Sequence, residues 1–325
     1  MKAINFDHPG EADVLELVDL PVPLLKKSNQ ILIKVSFAGV NRPDIVQRLG
    51  NYPAPEGHSK ILGLEISGIV EDIGQKVKKF KKGDKVAALV NGGGYAEYCI
   101  ADEETTFKIP ESLDLKKAAS IPECFFTAWS NLVQRGNLKR GESVLIHGGT
   151  SGIGLASIEI LKLFKAKIFT TVGSNFKKEF CQNIGANYIF NYKEEDFHKE
   201  IKKINFKGVD LILDYIGGEY INKNINLLAN DGKLINIGFQ NGSSAEINLM
   251  KVMLKRLTIS GSTLRIRDIA FKNKILKELT KFVFPYFKTG EVKCYIDSVF
   301  SLPEASKAHK RLDEGVHIGK VILKI

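Results

Sequence analysis

Up to about residue 122, apolar and polar positions alternate in short runs, as in QILIKVSFAGV, ISGIVEDIG and DKVAALV, each cut off by Gly, Pro or Asn. Period-two alternation broken by turn formers predicts short strands and a β-rich unit with the rhythm of a barrel. From about Cys124 to Gly261 the pattern changes. The apolar runs SVLIHGG, AKIFTTVGS, ANYIFNY, VDLILDYIGG, GKLINIGF and LTISGST are separated by stretches with apolar positions at helical spacing. Strands alternating with helices predict a doubly wound parallel sheet. Beyond it, FKNKILKELTKFVFPYFKTG reads as helix, and GKVILKI reads as a strand that returns to the first unit. The expectation is an α/β chain in which a doubly wound unit, 124–265, is inserted into a discontinuous β-rich unit, 1–123 and 266–325.

Chemistry enters at HGGTSGIG, His147 to Gly154, between the strand SVLI and the helical LASIEILKLF. A strand, a tight glycine turn and a helix form the context of a dinucleotide site. Gly149 is expected to supply the sharp strand exit, and Gly154 the close packing of the helix. Ser151 stands where the middle glycine is usual, and Gly152 follows it. A serine there is small, and its hydroxyl can donate to a phosphate oxygen. The free N–H groups of the helix start complete an anion site. His147 ends a buried strand and is read as a hydrogen-bonded core histidine, not as a proton donor.

Composition narrows the picture without redirecting it. The 325 residues carry a net charge of +10, but the lysines are spread along the chain. Their densest run, KVKKFKKGDK, falls in a turn between two strand-like segments and has no interleaved aromatics, so no nucleic-acid role is expected. No apolar run approaches the roughly 20 residues that span a bilayer, so no membrane partner is expected, and the start lacks a signal-peptide core, which points to the cytoplasm. Cys99, Cys124, Cys181 and Cys294 are widely spaced with no Cys-x-x-Cys pair. They read as buried small hydrophobes rather than a disulfide or zinc framework.

The order of several stretches is that of a known family: GVNRPDIVQRLGNYP, LGLEISGIVEDIG, GDKVAALVNGGGYAEY, IPECFFTAW, HGGTSGIG, GANYIFNYKEEDF and LILDYIGG. The chain resembles the medium-chain dehydrogenase/reductase superfamily from end to end. Within it, the likeness is to the zinc-free quinone oxidoreductase branch, most of all its tumour-suppressor-inducible animal members and their bacterial relatives. The resemblance implies a discontinuous GroES-like β-barrel catalytic domain with an inserted Rossmann NADPH-binding domain. Zinc-dependent members of the superfamily hold their catalytic metal with cysteines and a histidine. The corresponding places here read Asn41 with Arg42, Leu64 with Glu65, and Glu123, so no metal is expected.

An NAD enzyme usually places Asp or Glu at the end of the second strand to bind the ribose diol. This chain has Gly173, Ser174 and Asn175, then Lys177 and Lys178, which favours NADPH. By resemblance, Lys177 and Tyr192 flank the 2′-phosphate. The remaining cofactor contacts implied are Asn41, Thr127, Gly149, Ser151, Gly152, Ile153, Gly154, Gly173, Ser174, Gly217, Gly238 and Phe239. Asn41, Tyr52 and Thr127 are the expected catalytic residues, with Thr127 alternatively capping a helix that starts near Phe126. Tyr52, Phe125, Phe126 and Phe239 are the expected acceptor walls, with Phe125 or Phe126 alternatively in the core.

Without a Lewis acid the substrate must be electrophilic on its own, which points to a quinone or an activated alkene. Three readings follow: a quinone reductase, a 2-alkenal or enone reductase on the same scaffold, and an RNA-binding or structural protein that keeps the fold. Retention of Asn41, Tyr52, Thr127, Lys177 and Tyr192 weighs against the third. A homodimer is expected through the open edge strand LTISGST.

Overall fold

The computed structural model describes Met1–Ile325, which divides into two units, Met1–Phe126 with Leu264–Ile325, and Thr127–Thr263. In chain order the first part of the chain gives β1 (Lys2–Asn5), β2 (Glu16–Asp19), β3 (Gln30–Gly39), α1 (Arg42–Arg48), β4 (Glu65–Ile73), β5 (Lys85–Leu89), β6 (Tyr98–Asp102), β7 (Thr106–Lys108), α2 (Leu115–Ala118) and α3 (Pro122–Trp129). The second unit follows with β8 (Ser143–Ile146), α4 (Gly152–Leu163), β9 (Lys167–Val172), α5 (Asn175–Asn183), β10 (Tyr188–Asn191), α6 (Phe197–Ile204), β11 (Val209–Asp214), α7 (Tyr220–Leu227), β12 (Leu228–Asn236), α8 (Leu249–Leu254) and β13 (Thr258–Gly261). Then come α9 (Ile269–Phe282), α10 (Phe284–Thr289), β14 (Ile296–Ser301), α11 (Ala305–Asp313) and β15 (Lys320–Lys324).

In the first unit the strands run β14-β15-β3-β4-β5-β7, with β6 also pairing β3. The alternation read in QILIKVSFAG places Ile31, Ile33 and Val35 in one core with Ile45, Leu62, Ile66, Val86 and Leu323. The closing strand β15 pairs antiparallel with β3, Ile322 opposite Gly39, so the last segment does return to the first unit. Gly68 of β4 shows how closely the sheet is drawn together: a Cβ there would lie 2.1 Å from the Lys34 carbonyl oxygen of β3.

The second unit is a parallel sheet in the order β10-β9-β8-β11-β12-β13. Its six strands are the six apolar runs of the sequence. The order reverses beside β8, the strand that feeds the glycine turn, and this reversal is where open α/β sheets bind ligands. Leu145, Phe169, Phe190, Phe197, Ile201, Ile212 and Leu234 form the core. The edge strand β13 is largely exposed, with Ile259 at 37%.

The division falls after Phe126 and Thr263, against expected boundaries after 123 and 265. The first difference arises because α3 is continuous through the junction, so no turn marks it. Among the cysteines, Cys99, Cys124 and Cys181 are buried and Cys294 is partly so; all are free thiols.

The close approach at Gly68 gives a direct test. Gly68→Ala is expected to cost about 1–3 kcal/mol by overpacking, read as a lower denaturation midpoint. An unchanged midpoint would show that β3 and β4 separate without strain.

Candidate active site

In the second unit the functional candidates gather at the carboxyl ends of the strands. The strand exit after β8 is taken by Gly148, with φ +67°. The expectation had given that role to Gly149, and the double glycine explains the slip, since either residue could turn. A Cβ at Gly148 would fall 1.5 Å from the Tyr215 hydroxyl, so a side chain there would also have to displace that ring. Gly149 matters for a different reason: a Cβ there would meet Thr170 Oγ1 at 2.3 Å. Ser151 caps α4, its Oγ accepting from Gly154 N–H at 3.0 Å. The cap uses the oxygen and leaves the hydroxyl proton to donate outward, and Gly154 lets the helix start sit against the carbonyl of Gly148. His147 is fully buried between Thr171 Oγ1 at 3.1 Å and Asn224 Oδ1 at 2.8 Å. It is the core histidine that the sequence suggested.

After β9, Gly173 lies beneath the Tyr192 hydroxyl, 2.7 Å from the place a Cβ would take. Ser174 caps α5 through Lys177 N–H. Lys177 and Lys178 therefore stand in the first turn of a helix, where cations oppose the helix dipole. Lys178 is paired with Glu195. On the far side, the loop after β12 folds onto the loop after β11: Gln240 N–H donates to Tyr215 O and Asn241 N–H to Ile216 O. Gly217, φ +71°, has no room for a Cβ beside Phe239. Gly238 approaches Tyr215, and Phe239 is 52% exposed. Buried Asp214 fixes the turn by accepting from Ile216 N–H and from the amides of Asn224 and Asn236.

Thr127 sits within α3, not at its start, so the capping alternative fails: the helix begins at Pro122. The helix continues as a π-helical turn over Ser130–Arg135, and the Asn131 amide donates to the Thr127 carbonyl at 2.8 Å. The Thr127 hydroxyl is buried without a partner. Such an orphan is what a bound ligand would satisfy.

In the first unit Asn41 precedes α1. Its amide donates to Glu65 Oε1 at 3.0 Å and Gly39 O at 3.3 Å, while its oxygen accepts from Lys320 Nζ at 2.5 Å. One oxygen lone pair is left for a ligand. Lys320 also donates to Glu65 Oε1 at 2.6 Å and Val40 O at 2.9 Å. The other Glu65 oxygen accepts from Glu123 N–H. The places that hold zinc elsewhere in the superfamily thus carry a carboxylate neutralised by a buried ammonium. No group of three or more His, Cys, Asp or Glu residues is placed to hold a metal. This donor set does not fit a catalytic zinc. Burial, then Glu65, pushes the half-buried Glu123 carboxyl up to about 7.

Tyr52 is half-buried, and Arg265 lies over its ring with Cζ 5.4 Å from the centroid. Phe126 is wholly buried and Phe125 is 3% exposed, its ring packed edge-on against Phe287. Burial of both rings favours the core alternative raised for Phe125 and Phe126 over the acceptor wall. Sequence reasoning missed Lys320, Arg265 and Lys272. Only Lys320 carried a signal, as a lysine heading the apolar run 321–323.

A buried chain of hydrogen bonds backs the Asn41 loop. Arg48 Nη1 donates to His309 Nδ1 at 3.2 Å. Since arginine can only donate, the neutral ring carries its proton on Nε2. Nε2–H then donates to the Tyr95 hydroxyl at 3.1 Å, which donates to Asp44 Oδ2 at 3.2 Å. Asp44 also accepts from Asn41 N–H and Gly63 N–H. Burial, then Arg48, holds His309 down at about 3, in keeping with a neutral ring. Burial lifts the Asp44 carboxyl from 3.8 to about 6.

The sign of that shift makes a testable statement. A carboxyl raised in the folded state binds its proton more tightly than in the unfolded chain. The associated stability is full below the unfolded value and is lost as pH rises to about 6. The loss is about 3 kcal/mol. Asp44→Asn is expected to flatten denaturation stability between about pH 4 and 6.5 relative to the parent; parallel curves would refute the shift.

Comparison with known proteins is consistent with this geometry. Residues 27–111 match the alcohol dehydrogenase GroES-like domain, and residues 152–281 match the zinc-binding dehydrogenase family. Quinone oxidoreductase of Homo sapiens is 33% identical over 327 residues, spanning 99% of this chain and 97% of the relative. The structure of Escherichia coli quinone oxidoreductase complexed with NADPH is 26% identical, with a TM-score of 0.89 over 100% of both chains. An NAD-dependent alcohol dehydrogenase structure is 29% identical, also at 0.89 and over 100% of both chains. With its GroES-like barrel, inserted Rossmann sheet and full-length likeness, the chain belongs to the quinone oxidoreductase family of the medium-chain dehydrogenases/reductases.

Proposed function

We propose that the chain is an NADPH-dependent quinone reductase that works without a metal, hydride passing from the nicotinamide to a quinone acceptor. The end of β9 carries the reading of the cofactor. Where a carboxylate would hold a ribose diol there are Gly173 and Ser174, with the Tyr192 hydroxyl close above Gly173 and Lys177 in the first turn of α5. A 2′-phosphate suits a helix N-terminus that carries Lys177 in its first turn. One relative's structure holds NADPH and another is titled NAD-dependent, so the residues, rather than overall likeness, decide the choice.

In this reading the N–H groups of Gly152, Ile153 and Gly154 and the Ser151 hydroxyl face the pyrophosphate, and Gly149 keeps the turn clear of it. Within the second unit Gly217, Gly238, Phe239 and Thr127 are assigned to the nicotinamide end, and in the first unit Asn41 keeps a lone pair for a ligand. The bound cofactor supplies the hydride. The protein orients it and leaves electrophilicity to the acceptor, because Glu65 is neutralised by Lys320 and the residues around it do not form a ligand set for a Lewis acid. Tyr52 is the acceptor-side residue. The exposed edge of β13 supports a homodimer in which two such edges pair. Four free thiols are in keeping with the reducing cytoplasm, and no helix is long and apolar enough to cross a membrane.

The purified chain, offered NADPH or NADH with ortho- and para-quinones, 2-alkenals and simple alcohols, is expected to reduce quinones with NADPH. Turnover of 2-alkenals alone would transfer the assignment to an enone reductase. Lys177→Ala is expected to weaken NADPH binding by about 1–3 kcal/mol and leave NADH almost unchanged. Equal losses would remove the lysine from the phosphate site. Sedimentation at micromolar concentration is expected to give the dimer mass, and a monomer mass would reject the β13 interface.

A further inference from the structure

The first unit contains a buried cation whose hydrogen bonds are incomplete. Arg265 is 5% exposed, and its Nε and Nη2 both donate to the Asn91 carbonyl, at 3.0 and 2.7 Å. A planar guanidinium fixed along that edge directs Nη1 to the opposite side. Nη1 is buried and has no hydrogen-bond partner. The support beneath it is dense. Lys272, 2% exposed, donates to Asn91 Oδ1 at 2.7 Å and to the Arg265 carbonyl at 2.8 Å, and the Asn91 amide is within 3.1 Å of His58 Nε2. Asp44 and Glu123 are the acidic groups whose charge favours the cation. Neither takes a hydrogen bond from Nη1.

Leaving a charged donor buried and unpaired costs more than leaving a neutral one, and an apolar side chain would fill the place at lower cost. The arrangement gains its return when an oxygen arrives. The guanidinium lies over the Tyr52 ring, so the arriving oxygen would belong to a molecule lying beside an aromatic face. We infer that Arg265 Nη1 and Tyr52 form an oxyanion slot for a flat conjugated ketone, with Nη1 donating to the carbonyl oxygen that becomes negative during reduction. This rests on the proposed quinone reductase activity and adds the residue that receives the charge.

The balance is simple. Hydride brings two electrons and one proton to the acceptor, the cofactor leaves oxidised, and the acceptor oxygen becomes an oxyanion held by Nη1. One proton from solvent then gives the neutral reduced product. A donor fixed before reaction favours the charged oxygen over the neutral carbonyl, which lowers the barrier and not only the dissociation constant.

The test uses the full chain with 9,10-phenanthrenequinone and its oxygen-free counterpart phenanthrene, bound in the presence of NADP⁺ so that no turnover occurs, and read by equilibrium dialysis. The parent is expected to prefer the quinone by about ten-fold, and Arg265→Gln to bind the two alike. With NADPH, Arg265→Gln is expected to lower kcat/KM for the quinone by about a hundred-fold, with NADPH affinity held within about two-fold. Arg265→Lys, which keeps the cation without the fork, is expected to fall between, and carries the test if the glutamine variant does not fold. A parent without preference, a glutamine variant that keeps it, or an equal loss of both ligands would overturn the slot. A parent that prefers the quinone but does not reduce it would overturn the activity and leave the slot standing.

Discussion

The ion pair between Lys320 and Glu65 is the contact on which the first unit depends. Both side chains are almost wholly buried, and the ammonium spends its three protons on Glu65, Asn41 and Val40. A buried pair of this kind gains little over apolar packing, but removing one partner strands the other, at about 3–5 kcal/mol. It joins the closing strand to the loop that carries Asn41 and to the β4 strand that carries Glu65. It also sets the chemistry of the neighbourhood. A carboxylate already met by an ammonium, an amide and an N–H has little left to offer a metal, and the three together form a rigid polar floor.

The two units solve the problem of positioning by different means. In the inserted unit, backbone groups do most of the work: glycines bring the chain close, and Ser151, Ser174 and Asp214 fix the turns by capping N–H groups. The candidate anion contacts are thus N–H groups whose place is set by the sheet. In the first unit, side chains hold other side chains. The run from Arg48 through His309 and Tyr95 to Asp44 has every proton assigned by the one before it. Polarised chains of this kind strengthen each link, and the Asn41 loop inherits that order.

How much of this the sequence revealed follows from the range of the forces involved. The six strands of the inserted sheet were legible because five are largely buried apolar runs and the sixth, the exposed edge strand, is rich in β-formers, and the glycine turn because its neighbours are a strand and a helix. The glycine that takes the left-handed turn was misplaced by one position, as local sequence cannot rank two adjacent glycines. Phe125 and Phe126 read equally as acceptor walls or as core, because sequence does not tell which way adjacent aromatics face; both rings are buried. Arg265 and Lys272 were invisible, because their meaning lies in contacts with Asn91 and Tyr52, far away along the chain. The start of α3 was missed because Pro122 suits the first turn of a helix as well as it suits a break.

The discontinuity of the first unit bears on how the protein is made. A ribosome releases the N-terminal strands first, then the whole of the inserted sheet, and only afterwards α9 to β15. The inserted unit has its complete core as soon as β13 emerges and can fold as a body. The first unit must wait with Glu65 facing an unfinished interior, since Lys320 has not yet been synthesised. The part of the chain begun first is therefore finished last, and the Glu65 carboxylate without its ammonium keeps the waiting segment hydrated until β15 closes over it.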